Sequence, residues 1–418
     1  MRVYIDTNGC AILRHETYRI SKYFRLNGLE EVKEPTLADI VVVTGCGVTA
    51  AGEEEALSLI KNIKSQMTSS AKLIIGGCLP KIAKEQVLSI APDAMLIGYE
   101  ESYKYDQLIR ATIPLDEVYY NTGHPIKYYF DEEKFEEDPD LCLASKIDAL
   151  CNTDKMTLQY TYSTPRHYLW KESDVFQIRV SYGCGGNCSF CITKLGIGKF
   201  RSIPIEKIFK QFREGLALGY KRFVLVGDEI GFYGLEIGTD FATLIEGLYA
   251  IDPGIQIAIR YIYPDMLVRY YSRLRKFFEQ GYIFYFCTAI QTASPRLLKM
   301  MNRNPNIGPF VECIKDIRSN NFPVFVHSQI IVGFPSETDE DFALTLKCLM
   351  DCDFDHFNIN KFSMRRNTQA CEYKDLQIAD DVMQKRYEIM VSYLKISRMA
   401  RLYDTAKQCI LNSESNEN

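Results

Sequence analysis

Hydrophobic and polar positions along this chain follow two patterns that take turns. Short apolar runs rich in β-branched residues occur at Arg2–Asp6, Ala38–Thr44, Ala71–Ile75 and Ala94–Ile97. Between and after them, apolar residues recur at helical spacing over Arg14–Asn27, Ala50–Ser65, Pro80–Ser89 and Glu101–Thr112. The first pattern suits buried strands and the second amphipathic helices. Their strict alternation over residues 1–112 predicts a small parallel sheet covered on both faces. The alternation resumes at Val175, with strands predicted at Val175–Val180 and near Arg222–Val226, Ile255–Ile262, Ile283–Cys287, Val324–Val332 and Asp355–Lys361. Helices fill the gaps, for example Ile205–Leu218, Leu297–Met301 and Asp339–Leu349. Six strands with intervening helices over 174–379 predict a partial TIM-like (β/α)6 barrel, with its chemistry at the carboxyl ends of the strands. The fold class is therefore α/β in both parts.

Two stretches depart from this rhythm. Residues 113–173 read as an insertion rich in tyrosine. Val118-Tyr119-Tyr120 and Ile126-Lys127-Tyr128-Tyr129-Phe130 flank Asn121-Thr122-Gly123-His124-Pro125, which predicts a hairpin. Seven of the ten residues 131–140 are acidic, which suits a solvated loop, and Lys155–Tyr162 suits a further strand. Residues 380–418 carry Met383, Tyr387, Met390, Val391, Leu394 and Leu402 at helical spacing, predicting a packed helix and then a disordered polar tail, Leu411–Asn418.

Composition narrows the class. With 418 residues, 47% hydrophobic and 25% charged, the chain suits two or three ordinary globular domains. No apolar run is long enough to span a membrane and Met1-Arg2-Val3-Tyr4-Ile5-Asp6 has no signal-peptide pattern, so a cytoplasmic location is expected. Fourteen cysteines without a secretion signal favour metal or redox use over a disulfide framework. The net charge of −5 provides no overall attraction to nucleic acid, although a local basic patch remains compatible with it.

Eight cysteine-rich residues concentrate the chemistry. Cys184-Gly185-Gly186-Asn187-Cys188-Ser189-Phe190-Cys191 follows directly on the predicted strand Val175–Val180. Thiolates at C-x₃-C-x₂-C spacing converge on one small object without long-range folding. Zinc would want a fourth nearby ligand, and the residues that follow offer neither Cys nor His. An iron–sulfur cube held by three thiolates leaves one iron open to a small molecule. A second set of cysteines is scattered: Cys10, Cys46 and Cys78 each follow a predicted strand and a glycine. In a parallel sheet the carboxyl ends of all strands share one edge, so the topology itself would gather these three. Each alone suits a small buried residue.

The cysteine loop resembles the signature of the radical S-adenosylmethionine (SAM) enzymes, and Thr7-Asn8-Gly9-Cys10, Thr44-Gly45-Cys46 and Gly76-Gly77-Cys78-Leu79-Pro80 resemble the N-terminal domain of the methylthiotransferases among them. The resemblance continues through Gln291-Thr292-Ala293-Ser294, Met301-Asn302-Arg303, Ile330-Ile331-Val332-Gly333-Phe334-Pro335-Ser336-Glu337-Thr338 and Phe362-Ser363-Met364-Arg365. It implies two 4Fe–4S clusters and SAM. One cluster would be held by Cys184, Cys188 and Cys191, the other by Cys10, Cys46 and Cys78. By the same resemblance, Phe190 lies beside the adenine, Gly227, Asp228 and Glu229 form a SAM-binding turn with one carboxylate on the ammonium, Gln291 and Gly333 border the cofactor, and Arg365 holds a carboxylate of SAM or substrate. An electron donor of flavodoxin or ferredoxin type is implied as well. Departures lie at Ala11-Ile12-Leu13-Arg14, at Thr44-Gly45-Cys46, at Gln329 and at Ile192–Lys199, where the family's usual residues differ.

The family's transfer-RNA and ribosomal-protein enzymes end in a small β-barrel domain, called TRAM, for which the helix and eight polar residues expected after the barrel leave no room. This, the acidic balance and the tyrosine-rich insertion lead to the expectation of a peptide or protein substrate, such as the precursor of a ribosomally made natural product, modified from C–H to C–SCH₃. Transfer RNA as substrate, another radical outcome such as a crosslink or epimerisation, and a non-catalytic iron–sulfur role are the alternatives.

Overall fold

The computed structural model describes residues 1–121 and 175–416. Most of the predicted hairpin, the acidic run and the strand at Lys155–Tyr162 lie outside the described residues. Five strands form the first sheet: β1 (Arg2–Thr7), β2 (Glu30–Glu31), β3 (Ile40–Gly45), β4 (Lys72–Gly77) and β5 (Met95–Ile97), in the spatial order β2-β1-β3-β4-β5 with every pair parallel. The central strand β3 is buried along its whole length, which is why it reads as an unbroken apolar run. Its side chains alternate between the faces. Val41 and Val43 pack with Ile60 and Ile63 of α2 (Ala50–Gln66), whereas Ile40 and Val42 pack with Ile20, Tyr23 and Phe24 of α1 (Ala11–Leu26).

The second sheet has six parallel strands: β6 (Phe176–Arg179), β9 (Arg222–Val226), β10 (Gln256–Ile259), β11 (Ile283–Gln291), β12 (Phe325–Val332) and β13 (His356–Lys361). They lie side by side in chain order, so each strand–helix–strand step moves one place along the sheet. This is the expected (β/α)6 arrangement, open between β6 and β13. Some of its helices start at a side-chain cap. Asp240 accepts from Thr243 N at 2.7 Å, and Thr338 and Asp341 form a reciprocal box at the start of Asp339–Cys352.

Four features differ from the pattern-based expectation, the first being the unpredicted edge strand β2, two exposed glutamates with no apolar position to mark them. A two-residue antiparallel pair, β7 (Ser181–Tyr182) with β8 (Arg201–Ser202), closes the base of the cysteine loop. Strands this short have no periodicity to detect. Val118–Tyr120 forms no strand. Asn121 beyond it lies along the edge of β6 and accepts from Gln177 N at 2.8 Å, which covers that edge. Finally, the last helix runs from Asp380 to Asn416, so the tail expected to be disordered from Leu411 continues the helix. Met390 and Leu394 are buried against the barrel, and Met383 and Tyr387 pack beside them.

Candidate active site

The loop between β7 and β8 is shaped by glycines with individual reasons. Gly183 has φ +75°, and a Cβ there would stand 3.0 Å from the Lys199 carbonyl oxygen. Cys184, Cys188 and Cys191 are each half-buried on this loop. Gly186 N approaches Cys184 Sγ at 3.3 Å, and Cys191 N donates to Cys188 O at 3.1 Å. The loop is pinned to the far side of the barrel by Ser189 N on Met301 O and by Ala370 N on Ser189 O. Cys188 Sγ lies 3.3 Å from Tyr263 Oη and 4.0 Å from Arg303 Nη1, and Arg303 stacks on the Tyr263 ring at 4.2 Å. Burial, the Glu229 charge and the neighbouring thiols push the Cys184 thiol up to about 12, and burial also raises Cys191.

The second triad assembles at the carboxyl edge of the first sheet. Cys10 follows β1 and opens α1, Cys46 follows β3, and Cys78 follows β4. Asn8 ties these turns together, accepting from Cys46 N at 3.0 Å and donating to Gly52 O at 2.8 Å. Cys78 N donates to Gly45 O at 3.2 Å. The exposed Cys10 thiol donates to Cys46, which lowers Cys46 to about 7 and raises Cys10; burial is the main cause of the rise at Cys78.

The two triads face one seam. Gly196, just past the SAM-type loop, packs so closely that a Cβ would stand 2.9 Å from Cys78 Cβ, and the Cys191 thiol contributes to the field at Cys78. Across the seam, Glu53 of α2 binds Arg365 and, at 2.7 Å, Arg366 Nη2. Arg365 also donates to Gly47 O at 2.9 Å, beside Cys46, and Arg366 to Ile82 O at 3.3 Å, one turn beyond Cys78. Each loop that carries a thiol of the second triad, apart from that of Cys10, is thus tied directly to the barrel. Nothing in the local pattern singled out Glu53, because an acidic residue in the first turn of a helix already has a local explanation.

Several expected contacts take a different form. Asp228 accepts from Gly183 N at 2.9 Å and from Arg179 Nη2 at 3.2 Å, both at Oδ2, so its buried carboxylate orients the cysteine loop. Glu229 accepts from Gly231 N at 2.7 Å and Tyr263 N at 3.0 Å, both at Oε1, with no hydrogen bond to Oε2 among the described residues. Burial lifts this carboxyl to about 8. Gly227 packs against Ile230 and Ser181, whose atoms a Cβ would meet at 2.5 and 2.6 Å. Arg365, expected on a carboxylate of SAM or substrate, joins Glu53 at the seam, and its Nε has no hydrogen-bond partner among the described residues. Phe190 is half-buried edge-on to Phe334 at 6.4 Å. Gln291 ends β11 with φ +65° and a buried Oε1 that has no protein partner, a strained polar position of the kind found at binding sites. Gly333, at φ +77°, donates to Glu337, which Arg386 holds at 2.9 Å.

The donor sets fit iron–sulfur cubes. Among the described residues no three Cys, His, Asp or Glu side chains surround a point as a single ion requires. A cube spreads its thiolates over separate corners, so a wider triad of mutually interacting thiols is what it needs. Such thiols repel one another's charge in the bare protein, and metal coordination removes that penalty.

Two protein-family models match this chain: the radical SAM superfamily over residues 178–349 and the Uncharacterized protein family UPF0004 over residues 2–98. Among solved structures, the radical SAM methyltransferase TsrM from Kitasatospora setae superimposes with a TM-score of 0.55 at 13% identity, covering 88% of this chain and 76% of that one. The cobalamin-dependent SAM radical enzyme OxsB does so at 0.52 and 14%, covering 93% and 56%. At those identities the likeness concerns the fold. The protein is a radical SAM enzyme. Within that class it is similar to the methylthiotransferases, and the two domains it carries imply SAM and 4Fe–4S clusters as cofactors. A "Probable threonylcarbamoyladenosine tRNA methylthiotransferase" of Pyrococcus abyssi is 26% identical over 90% of this chain and 80% of its own length. A "tRNA-2-methylthio-N(6)-dimethylallyladenosine synthase" of Opitutus terrae is 26% identical over 98% and 87%.

Proposed function

We propose that this chain is a transfer-RNA methylthiotransferase that replaces a nucleobase C–H hydrogen with a methylthio group. The observation that carries this reading is the span of similarity to tRNA methylthiotransferases, up to 98% of this chain, a stretch that takes in both triads. The peptide substrate expected from charge and from residues 113–173 finds no such support. Among the described residues no helix is long and apolar enough to cross a membrane. We place the enzyme in the cytoplasm, with a one-electron donor of flavodoxin or ferredoxin type as its partner.

Cys184, Cys188 and Cys191 would hold one cluster, and Cys10, Cys46 and Cys78 the other. When bound, these groups and SAM supply a carbon-centred radical and a transferable sulfur. The chain's own residues hold, orient and shield. Tyr263 and Arg303 point donors at Cys188 Sγ, which stabilises negative charge on that sulfur. Glu229 offers Oε2 to a cationic group on the barrel side of the seam. Phe190, Phe334 and Ile331 form a dry wall beside it. Glu53 with Arg365 and Arg366 keeps the two halves in register, since small displacements of reacting groups are costly.

The test uses anaerobically reconstituted protein with SAM, a reductant and bulk tRNA lacking methylthio groups. Methylthio-nucleosides in the digest are expected. Their absence, with SAM cleaved normally, overturns the substrate assignment, and candidate peptides analysed in parallel would reveal a peptide activity by a gain in mass.

A further inference from the structure

A second cleft, with a volume of about 420 Å³, opens beside the seam. One wall is α1 with Tyr99–Ser102 and Asp116–Tyr120; the other is β8 and the start of the helix Ile205–Ala217. No cysteine lines it. Among the described residues, its walls hold two buried side chains with a polar atom that has no hydrogen-bond partner, His15 Nδ1 and Tyr99 Oη, and beside them Arg179, whose Nη1 has no hydrogen-bond acceptor and lies 3.9 Å from Glu16 Oε2. Buried polar groups are nearly always paired, so two orphans in one cleft call for a ligand or ordered water to complete them.

The lining carries more cations than anions: its acids are Glu100, which is paired with Lys81, and Asp116. Arg19 and Arg179 are balanced inside the wall by Glu16 and Asp228. Lys199, Arg201 and Lys207 stand at the mouth with no ion pair among the described residues. Arg201 is held by stacking on Tyr182 at 4.2 Å, and Arg179 covers the same ring at 4.0 Å. Tyr119 and Phe200 supply half-buried aromatic surface beside these cations. Cations for a phosphate beside rings for a base match the chemistry of a single unpaired nucleotide. The volume admits one nucleotide and excludes a duplex. Tyr99 and Arg179 also shape the field at Cys78, so a strand lying in the cleft passes beside the seam.

We propose that this cleft is a nucleotide subsite for the RNA substrate, holding a nucleotide other than the one modified. The inference rests on the tRNA reading above. Binding of unmodified bulk tRNA to the reconstituted protein is measured as a function of salt for wild type, Lys199→Glu/Lys207→Glu, the charge-conserving Lys199→Arg/Lys207→Arg, and Lys315→Glu/Lys347→Glu on the barrel's flank. The first double variant should bind about tenfold or more weakly, with a salt slope lower by about two, one per lost phosphate contact. The arginine pair should bind like wild type, and the flank pair should not differ from it. Wild-type affinity in Lys199→Glu/Lys207→Glu overturns the subsite while leaving the tRNA reading intact. An equal loss in the flank variant reduces the effect to net charge and also overturns it. Absence of tRNA binding by wild type overturns both readings. A mixture of nucleoside monophosphates is titrated in parallel. If the glutamate pair abolishes mononucleotide binding without altering tRNA affinity, the cleft holds a free nucleotide and the RNA subsite is wrong.

Discussion

The two cysteine triads solve the same chemical problem by opposite means. Cys184, Cys188 and Cys191 fall within eight residues on one loop, whereas Cys10, Cys46 and Cys78 are spread over 69 residues and three strand ends. In an unstructured chain, closing loops of 36 and 32 residues instead of 4 and 3 costs about 4 kcal/mol more. The sheet bears that cost when it folds, because parallel strands must end on a common edge. The local triad therefore needs only a loop with the right glycines, and the distant triad needs a finished domain. The difference extends to the thiols. The distant triad contains a hydrogen-bonded pair with one member poised near neutrality, whereas burial raises both Cys184 and Cys191.

The largest effect should come from removing either triad. Changing Cys184, Cys188 and Cys191 to Ala should halve the iron of reconstituted protein and abolish reductive SAM cleavage. Changing Cys10, Cys46 and Cys78 to Ala should halve the iron but leave SAM cleavage in place, with methylthiolation lost. Iron analysis and quantification of 5′-deoxyadenosine decide this. Equal loss of SAM cleavage in both variants would mean that the triads do not divide the work.

A smaller effect is expected at the seam. Glu53→Ala strands Arg365, which is 6% exposed, without its partner, a change worth about 3 kcal/mol. Urea denaturation should show a lower midpoint. More 5′-deoxyadenosine per methylthio product should form, because the triads lose their register. Glu53→Gln, which keeps an acceptor, should fall between. Tight coupling of cleavage to product in Glu53→Ala would reduce the clamp to a matter of stability.

The smallest effect is a difference in reactivity within the metal-free protein. A thiol reacts as its thiolate, so alkylation sets in as the pH rises through its pKa. Cys46 should be alkylated first, with a midpoint at about pH 7, while Cys184 stays largely unmodified until the pH nears about 12. Mass spectrometry after pulses of iodoacetamide measures it. Cys184 reacting before Cys46 would invert the contrast between the triads.

Much of the fold was legible because the strands of both sheets, apart from the edge pair Glu30–Glu31, are mostly short apolar runs separated by amphipathic helices, and strand ends in a parallel sheet have a predictable edge. The extent of the last helix was not, since the polar residues after Leu411 lack the apolar spacing that marks a packed helix. The SAM-turn carboxylates were visible as Asp228 and Glu229, yet their roles diverged on inspection of the partners. Arg179, itself inside a strand, claims Asp228, while Glu229 keeps an oxygen unengaged.

By itself, the sequence determined the local triad, the two parallel sheets and the position of the distant cysteines at strand ends. Each follows from residue type and spacing within a few tens of residues. Only the tertiary structure decided that both triads face one seam, that Glu53 meets Arg365 across 312 positions, and that Tyr263 reaches Cys188 across 75. It alone decided as well that Lys199, Arg201 and Lys207 stand opposite His15 and Tyr99. Such contacts depend on how two separately folded layers dock, and docking is chosen by the summed shape and charge of whole surfaces, to which no single residue's neighbours in sequence bear witness.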